Sequence, residues 1–146
     1  MVESFAFIDA RLEKAYALLH ATHDYVKWQA PLDVKRMPPS QTFKVSCEAM
    51  RVTVRMTQII AWMMVQKAIL EEEVTPEEAL SDGLRVLRGL HCLESDSEED
   101  PEIPTRLREL LKQSRALYLQ VLRLDKSART KDRQSLPKRR KALSQL

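Results

Sequence analysis

Residues 45–72, VSCEAMRVTVRMTQIIAWMMVQKAILEE, contain neither glycine nor proline. An unbroken run of this length constrains the fold more than any other feature of the chain. It predicts one helix of nearly eight turns, about 40 Å long at 1.5 Å per residue. A proline-rich stretch precedes it. A fresh helix start, Thr75-Pro76-Glu77-Glu78, follows: threonine as cap, proline at the first helical position, and Glu78 completing a capping box.

The rest of the chain is also written for helices. Residues 6–27 carry Ile8, Leu12, Ala15, Tyr16, Leu19, His23 and Val26 at three- and four-residue steps, which predicts an amphipathic helix. Residues 28–42 hold Pro31, Pro38 and Pro39 without periodicity and read as a linker, extended at Pro38-Pro39. Residues 76–91 predict a short helix weakened by Gly83 and Gly89, by up to about 1 kcal/mol each. Residues 94–102 hold six acids and no large apolar group, which predicts a solvated loop or a docking strip for a basic partner. A last helix is expected over 105–126, where Ile103, Leu110, Leu117 and Leu124 repeat every seven with Leu107, Ser114 and Val121 between them. Beyond residue 126 apolar residues are sparse, and 127–146 read as a disordered basic tail. The expected fold is all-α: residues 1–126 form an antiparallel three-helix bundle with one additional short helix and a flexible C-terminal tail.

Composition closes off several functions. Gly83 and Gly89 are the only glycines, and neither opens a phosphate-cradling loop. The formal charge of +3 is unevenly spread, with eight bases against one acid over 126–146, so the tail is +7 and the body −4. The start, MVESFAFIDARLEK, has an early glutamate and no apolar run of signal-peptide length, and the longest apolar run, 59–65, is far short of the ~20 residues a membrane span needs. The expectation is a cytoplasmic protein with no membrane partner and with Cys47 and Cys92 reduced.

The faces of the 45–72 helix locate candidate contacts. One seam holds Val45, Ala49, Val52, Met56, Ile59, Met63 and Leu70, an ordinary core face. A second apolar face holds Cys47, Met50, Val54, Ala61, Val65 and Ala68, which either a second neighbouring helix or a further protein partner accounts for. A third stripe begins polar, with Lys44, Glu48, Arg51, Arg55 and Gln58, and runs into Trp62, Gln66 and Ile69. Trp62 and Ile69 thus fall where solvent is expected. Either the short helix or the linker covers them, or they form a hot spot for a dimer mate or another protein.

The stretch Ser46-Cys47-Glu48-Ala49-Met50-Arg51-Val52-Thr53-Val54-Arg55-Met56-Thr57-Gln58-Ile59-Ile60-Ala61-Trp62 resembles the alphaproteobacterial regulator-of-CtrA-degradation (RcdA) family. The likeness lies in the Ser-x-Glu start, Met-Arg-x-Thr, Arg-Met-x-Gln and Ala-Trp. Lys67-Ala68-Ile69, the Thr75-Pro76-Glu77-Glu78-Ala79 turn, Leu107-Arg108-Glu109-Leu110-Leu111, Leu117-Tyr118, Phe5-Ala6-Phe7 and Ala15-Tyr16-Ala17-Leu18 fit it as well, so it covers about residues 4–125. The resemblance implies a dimeric three-helix bundle that is not an enzyme. It implies an adaptor that helps deliver cell-cycle regulatory proteins to the ClpXP protease.

Candidate chemistry is thin. His20, His23 and Asp24 sit at helical spacing, but His23 falls on the apolar stripe, and a metal site needs three or four ligands of suitable geometry. His91-Cys92 has no identifiable third group for nucleophilic catalysis, and Cys47 reads as a small hydrophobe. Met50, Met56, Met63 and Met64 suit either a core or an adaptable recognition surface. No catalytic, cofactor-binding or metal-ligating set is identified. The candidate partner-binding residues are Arg51, Arg55, Trp62 and Ile69 on the long helix and Lys138, Arg139, Arg140 and Lys141 in the tail. The other reading is a small nucleic-acid-associated regulator, since the tail's Lys/Arg density supports phosphate contacts although it has no aromatic for base stacking.

Overall fold

A computed structural model describes residues 5–79, 87 and 96–144, with side chains, that of residue 96 apart, as far as residue 130. Helix α1 spans Phe5–Asp24 and passes through a π-helical turn at Tyr25–Gln29 into α2, Ala30–Asp33, and a 3-10 turn at Val34–Arg36. Helix α3 spans Pro39–Leu70, α4 spans Pro76–Ala79, a 3-10 turn covers Asp96–Glu99, and α5 spans Thr105–Ser144. The described residues contain no strand, and the fold is an all-α bundle.

The expected core face of α3 is the one buried. Val45, Ala49, Val52, Met56, Ile59 and Met63 pack against Ile8, Leu12, Ala15 and Leu18 of α1 and against Leu107, Leu110, Leu111, Leu117, Tyr118 and Val121 of α5. The seven-residue seam expected of the last helix is likewise inside, Ser114 included, apart from half-buried Leu124. Burying a Leu- or Ile-sized side chain contributes roughly 1.5–3 kcal/mol, so this three-sided contact is the main source of stability.

Cross-helix pairs fix the directions. The Lys67–Asp9 pair, 3.9 Å apart, sets the end of α3 beside the start of α1, so these two are antiparallel. Lys44 meets Asp100, Arg55 meets Leu111 and Ser114, and Trp62 meets Asp125, so α3 and α5 run the same way. The expected bundle is therefore antiparallel only for α1 against the other two helices. The connection spanning residues 71–104 is what allows a parallel pair.

Boundaries differ from expectation where proline is concerned. The stretch 28–42 is mostly helical turns rather than a linker, and α3 begins at Pro39 instead of residue 45. Pro31 lies in the first turn of α2, and Pro39 is the first residue of α3, where a missing N–H has no partner to lose. Only Met37 and Pro38 are extended, with ψ of 147° and 154°, as the residues before prolines should be. On α1 the buried row shifts from the expected stripe to Leu18, Thr22 and Tyr25, while Tyr16, His23 and Val26 are exposed. Thr22 tolerates burial because its hydroxyl donates to the Leu18 carbonyl at 2.7 Å.

The end of α3 is a Schellman turn. Glu73 N–H donates to Ala68 O at 2.9 Å and Glu72 N–H to Ile69 O at 3.1 Å, with Glu72 in the left-handed region at φ 59°. Thr75 caps the next helix as expected, accepting from Glu78 N–H at 3.2 Å. Of the helix expected over 76–91, Pro76–Ala79 is described, as is Leu87, which is buried in the core; the remainder lies outside the described residues. Helix α5 does not stop near 126 but continues to Ser144, through the basic segment expected to be disordered and with Pro137 inside it.

Candidate protein-docking surface

The polar stripe of α3 faces inward. Arg55 is wholly buried, and its guanidinium donates to the Leu111 carbonyl at 3.0 Å and to Ser114 Oγ at 2.9 Å. It also meets Glu98 Oε1 at 3.4 Å, pulling the 3-10 turn onto the bundle. One helical turn on, Tyr118 donates to Gln58 Oε1 at 2.6 Å. Trp62, 3% exposed, donates through Nε1 to Asp125 Oδ1 at 2.9 Å, and Arg129 holds the same carboxylate at 3.0 Å. A buried charge is tolerated only when paired and hydrogen-bonded, and each of these is.

Arg55 and Trp62 are therefore not on a solvent-facing stripe, and of the two alternatives for Trp62 the structure has it covered, by α5 rather than by the short helix or the linker. Both residues are internal links between α3 and α5. Arg51 is half-buried, with Nε 2.9 Å from Glu48 Oε2, and Ile69 is also half-buried. The backbone of Lys138, Arg139, Arg140 and Lys141 lies on the last turns of α5. Among its described residues the acidic segment is not solvated throughout. Glu98 docks on Arg55, Asp100 on Lys44, and Glu99 on Lys112 at 3.3 Å, while Ile103 is buried. The ammonium of Lys44 and the Glu102 N–H hold the Asp100 carboxyl below its ordinary range.

The second apolar face of α3 is the exposed one. Met50 is 66% exposed, Val54 44% and Met64 48%, and Phe43, one turn inside the helix start, is 72% exposed. Cys47, Ala61, Val65 and Ala68 on the same face are half-buried. No second helix of the described residues covers this face. Beside it, Val26, Ala30, Pro31 and Val34 form the other wall of an apolar cleft of about 500 Å³ shared with Met50 and Val54. Val26 and Leu32 are themselves largely exposed. Burial of Tyr25, and then its hydrogen bond to Asp33 at 3.0 Å, push its phenol above the ordinary range and tie the π turn to α2, which fixes this wall.

Sequence reasoning missed Leu32 because it assigned 28–42 to a linker, missed Phe43 because it began the long helix at residue 45, and placed Val26 on the buried stripe of the first helix. It misassigned the polar stripe because the partners of Arg55, Gln58 and Trp62 lie on α5, far along the chain. Ser114, Tyr118 and Asp125, at intervals of four and seven on α5, were the signal that could have found them. Among the described residues no three His, Cys, Asp or Glu side chains converge as a metal site, and no helix is long and apolar enough to cross a membrane.

A family model described as "Protein of unknown function (DUF1465)" matches residues 4–146. No curated protein matches. Among solved structures, the crystal structure of RcdA from Caulobacter crescentus CB15 is similar, with 27% identity over 87% of this chain and 93% of that one and a TM-score of 0.65.

Proposed function

The chain belongs to the DUF1465 family, and from that membership, its likeness to RcdA and its uncovered apolar face we propose that it is a non-enzymatic adaptor. It acts as a cytoplasmic homodimer that helps deliver cell-cycle regulatory proteins to the ClpXP protease. The observation that carries this reading is the α3 face with Phe43, Met50, Val54 and Met64 exposed together. Scattered exposed apolar residues are ordinary, but a contiguous strip of them on a rigid helix marks a contact surface. Methionine adapts to varied partners. Arg55 and Trp62 hold α3 to α5, and Arg55 holds the acidic turn to both.

Protein turnover measured across the proteome tests this. Deleting the gene, or replacing it with Met50→Glu/Val54→Glu, should lengthen the half-lives of a small set of ClpXP substrates that includes cell-cycle regulators. Unchanged half-lives for every ClpXP substrate would sink the proposal.

A second reading rests on the tail, where the +7 segment is carried on the continuous helix α5. The Lys/Arg density at Lys138, Arg139, Arg140 and Lys141 suits phosphate contacts on nucleic acid. If it operates, removing residues 127–146 abolishes a steeply salt-dependent DNA retention; retention unaffected by that truncation removes the reading.

A further inference from the structure

The exposed face of α3 has a regular register. Phe43, Cys47, Met50, Val54, Thr57, Ala61, Met64 and Ala68 follow one another at steps of 4, 3, 4, 3, 4, 3 and 4. This is the spacing of a coiled-coil seam. Phe43, Met50, Val54, Thr57 and Met64 are exposed, and Cys47, Ala61 and Ala68 are half-buried. The seam runs about 38 Å along the helix at 1.5 Å per residue. No Asp, Glu, Lys or Arg occupies it; of the positions that flank it, Ser46, Thr53, Gln58, Ile60 and Val65 are uncharged, and Lys44, Arg51 and Lys67 carry charge at its rim. Loss of charge at the centre of a patch is the compositional mark of an interface.

From this register we infer that the seam pairs with the seam of a second copy, antiparallel, about a two-fold axis between Val54 and Thr57. Reversing the seam on itself sets Phe43 against the other copy's Ala68, Met50 against its Ala61, Cys47 against its Met64 and Val54 against its Thr57. The largest side chain meets the smallest, and one methionine meets alanine. Such alternation is what lets facing layers interdigitate. A parallel pairing instead stacks Phe43 on Phe43 and Met50 on Met50 and leaves Ala61 facing Ala61 and Ala68 facing Ala68 across a gap.

Charge favours the same occupant. Lys44 and Arg55 bind Asp100 and Glu98, so the acidic strap lies at the end of the bundle where α3 begins. Asp125, level with Trp62, lies toward the other end, and the +7 segment follows it along α5. End-to-end reversal brings the basic segment of each copy toward the acidic strap end of the other. The seam alone offers about 380 Å² per copy for a helix about 10 Å wide. A stable pair buries about 800 Å² per partner, so the exposed Val26, in the cleft wall beside Met50 and Val54, belongs to the contact as well.

This pairing rests on the homodimer reading above and gives it a face and a register. Oxidative cross-linking tests it. In Cys92→Ser protein the antiparallel pairing keeps the two Cys47 thiols about 26 Å apart along the axis, so no covalent dimer forms. Adding Met64→Cys places a thiol opposite Cys47, and a covalent dimer then appears on a non-reducing gel. A second pair, Met50→Cys with Ala61→Cys in a Cys47→Ser/Cys92→Ser chain, should cross-link in the same way if the first variant does not fold. Cross-linking through Cys47 in Cys92→Ser protein would overturn the register in favour of parallel pairing. Dimers in sedimentation that no designed pair cross-links would place the contact on another face. A wild-type chain that sediments as a monomer would remove the homodimer itself.

Discussion

The inner and outer faces of α3 invert the usual relation between polarity and burial. The inner face toward α5 carries Arg55, Gln58 and Trp62, each bonded to a polar group on α5. The outer face carries Phe43, Met50, Val54 and Met64, exposed to solvent. The difference teaches that a polar stripe is interior wherever its groups find partners, while an apolar strip left outside is where we propose that a partner docks. The inner face stabilises one arrangement of α5 and the acidic turn against the bundle. The outer face contributes little to the fold of a single chain and is free for association.

Substitutions on the two faces should therefore separate stability from assembly. The largest effect is expected at Arg55→Ala, which leaves the buried Glu98 carboxylate without its cation; Glu98 Oε2 already has no hydrogen-bond partner among the described residues. Breaking a buried pair from one side costs about 3–5 kcal/mol. Urea denaturation should show a loss of that size, recovered in part by adding Glu98→Gln. A loss under about 1 kcal/mol would show that Arg55 is exposed in solution. Next, Trp62→Phe removes the donor to Asp125 while Arg129 keeps the carboxylate paired, so about 1–2 kcal/mol should be lost, read as a lower thermal midpoint. On the outer face, Met50→Gln should leave monomer stability within about 0.5 kcal/mol; a larger loss would place Met50 in the core.

The smallest effect concerns the strap. Its Asp100 carboxyl is held below the ordinary range, chiefly by the hydrogen bond from Lys44. A depressed folded-state pKa contributes stability above the unfolded value of about 3.9 and loses it as pH falls through the folded value. Acid should therefore loosen the 96–104 segment before the α1–α3 core, with faster amide exchange at Ile103 than at Val52 below about pH 4. Equal exchange at both would place the strap in the same cooperative unit.

Much of this architecture was legible from local pattern alone. The seam from Val45 to Met63, the seven-residue repeat around Leu110 and Leu117, and the Thr75 cap all depend on residues within a turn or two of one another. What periodicity could not show depends on long-range pairing. Arg55 bonds Leu111 and Ser114, and Trp62 bonds Asp125, across the 71–104 connection, and Arg55 bonds Glu98 within it. Proline was misread for a different reason: Pro31 and Pro39 begin helices at positions where no N–H is needed. For the candidate site, the second apolar face was visible as a pattern, but its exposure was decided by which helix α5 packs beside. Phe43 joined it only because α3 starts at Pro39.

Sedimentation velocity on the purified chain over a concentration series, beside Met50→Glu/Val54→Glu, tests the outer face most directly. The account predicts a concentration-dependent dimer for the wild type. It predicts a monomer of unchanged helicity and thermal midpoint for the variant. A wild-type chain that is monomeric throughout, or a variant that dimerises as the wild type does, would contradict it.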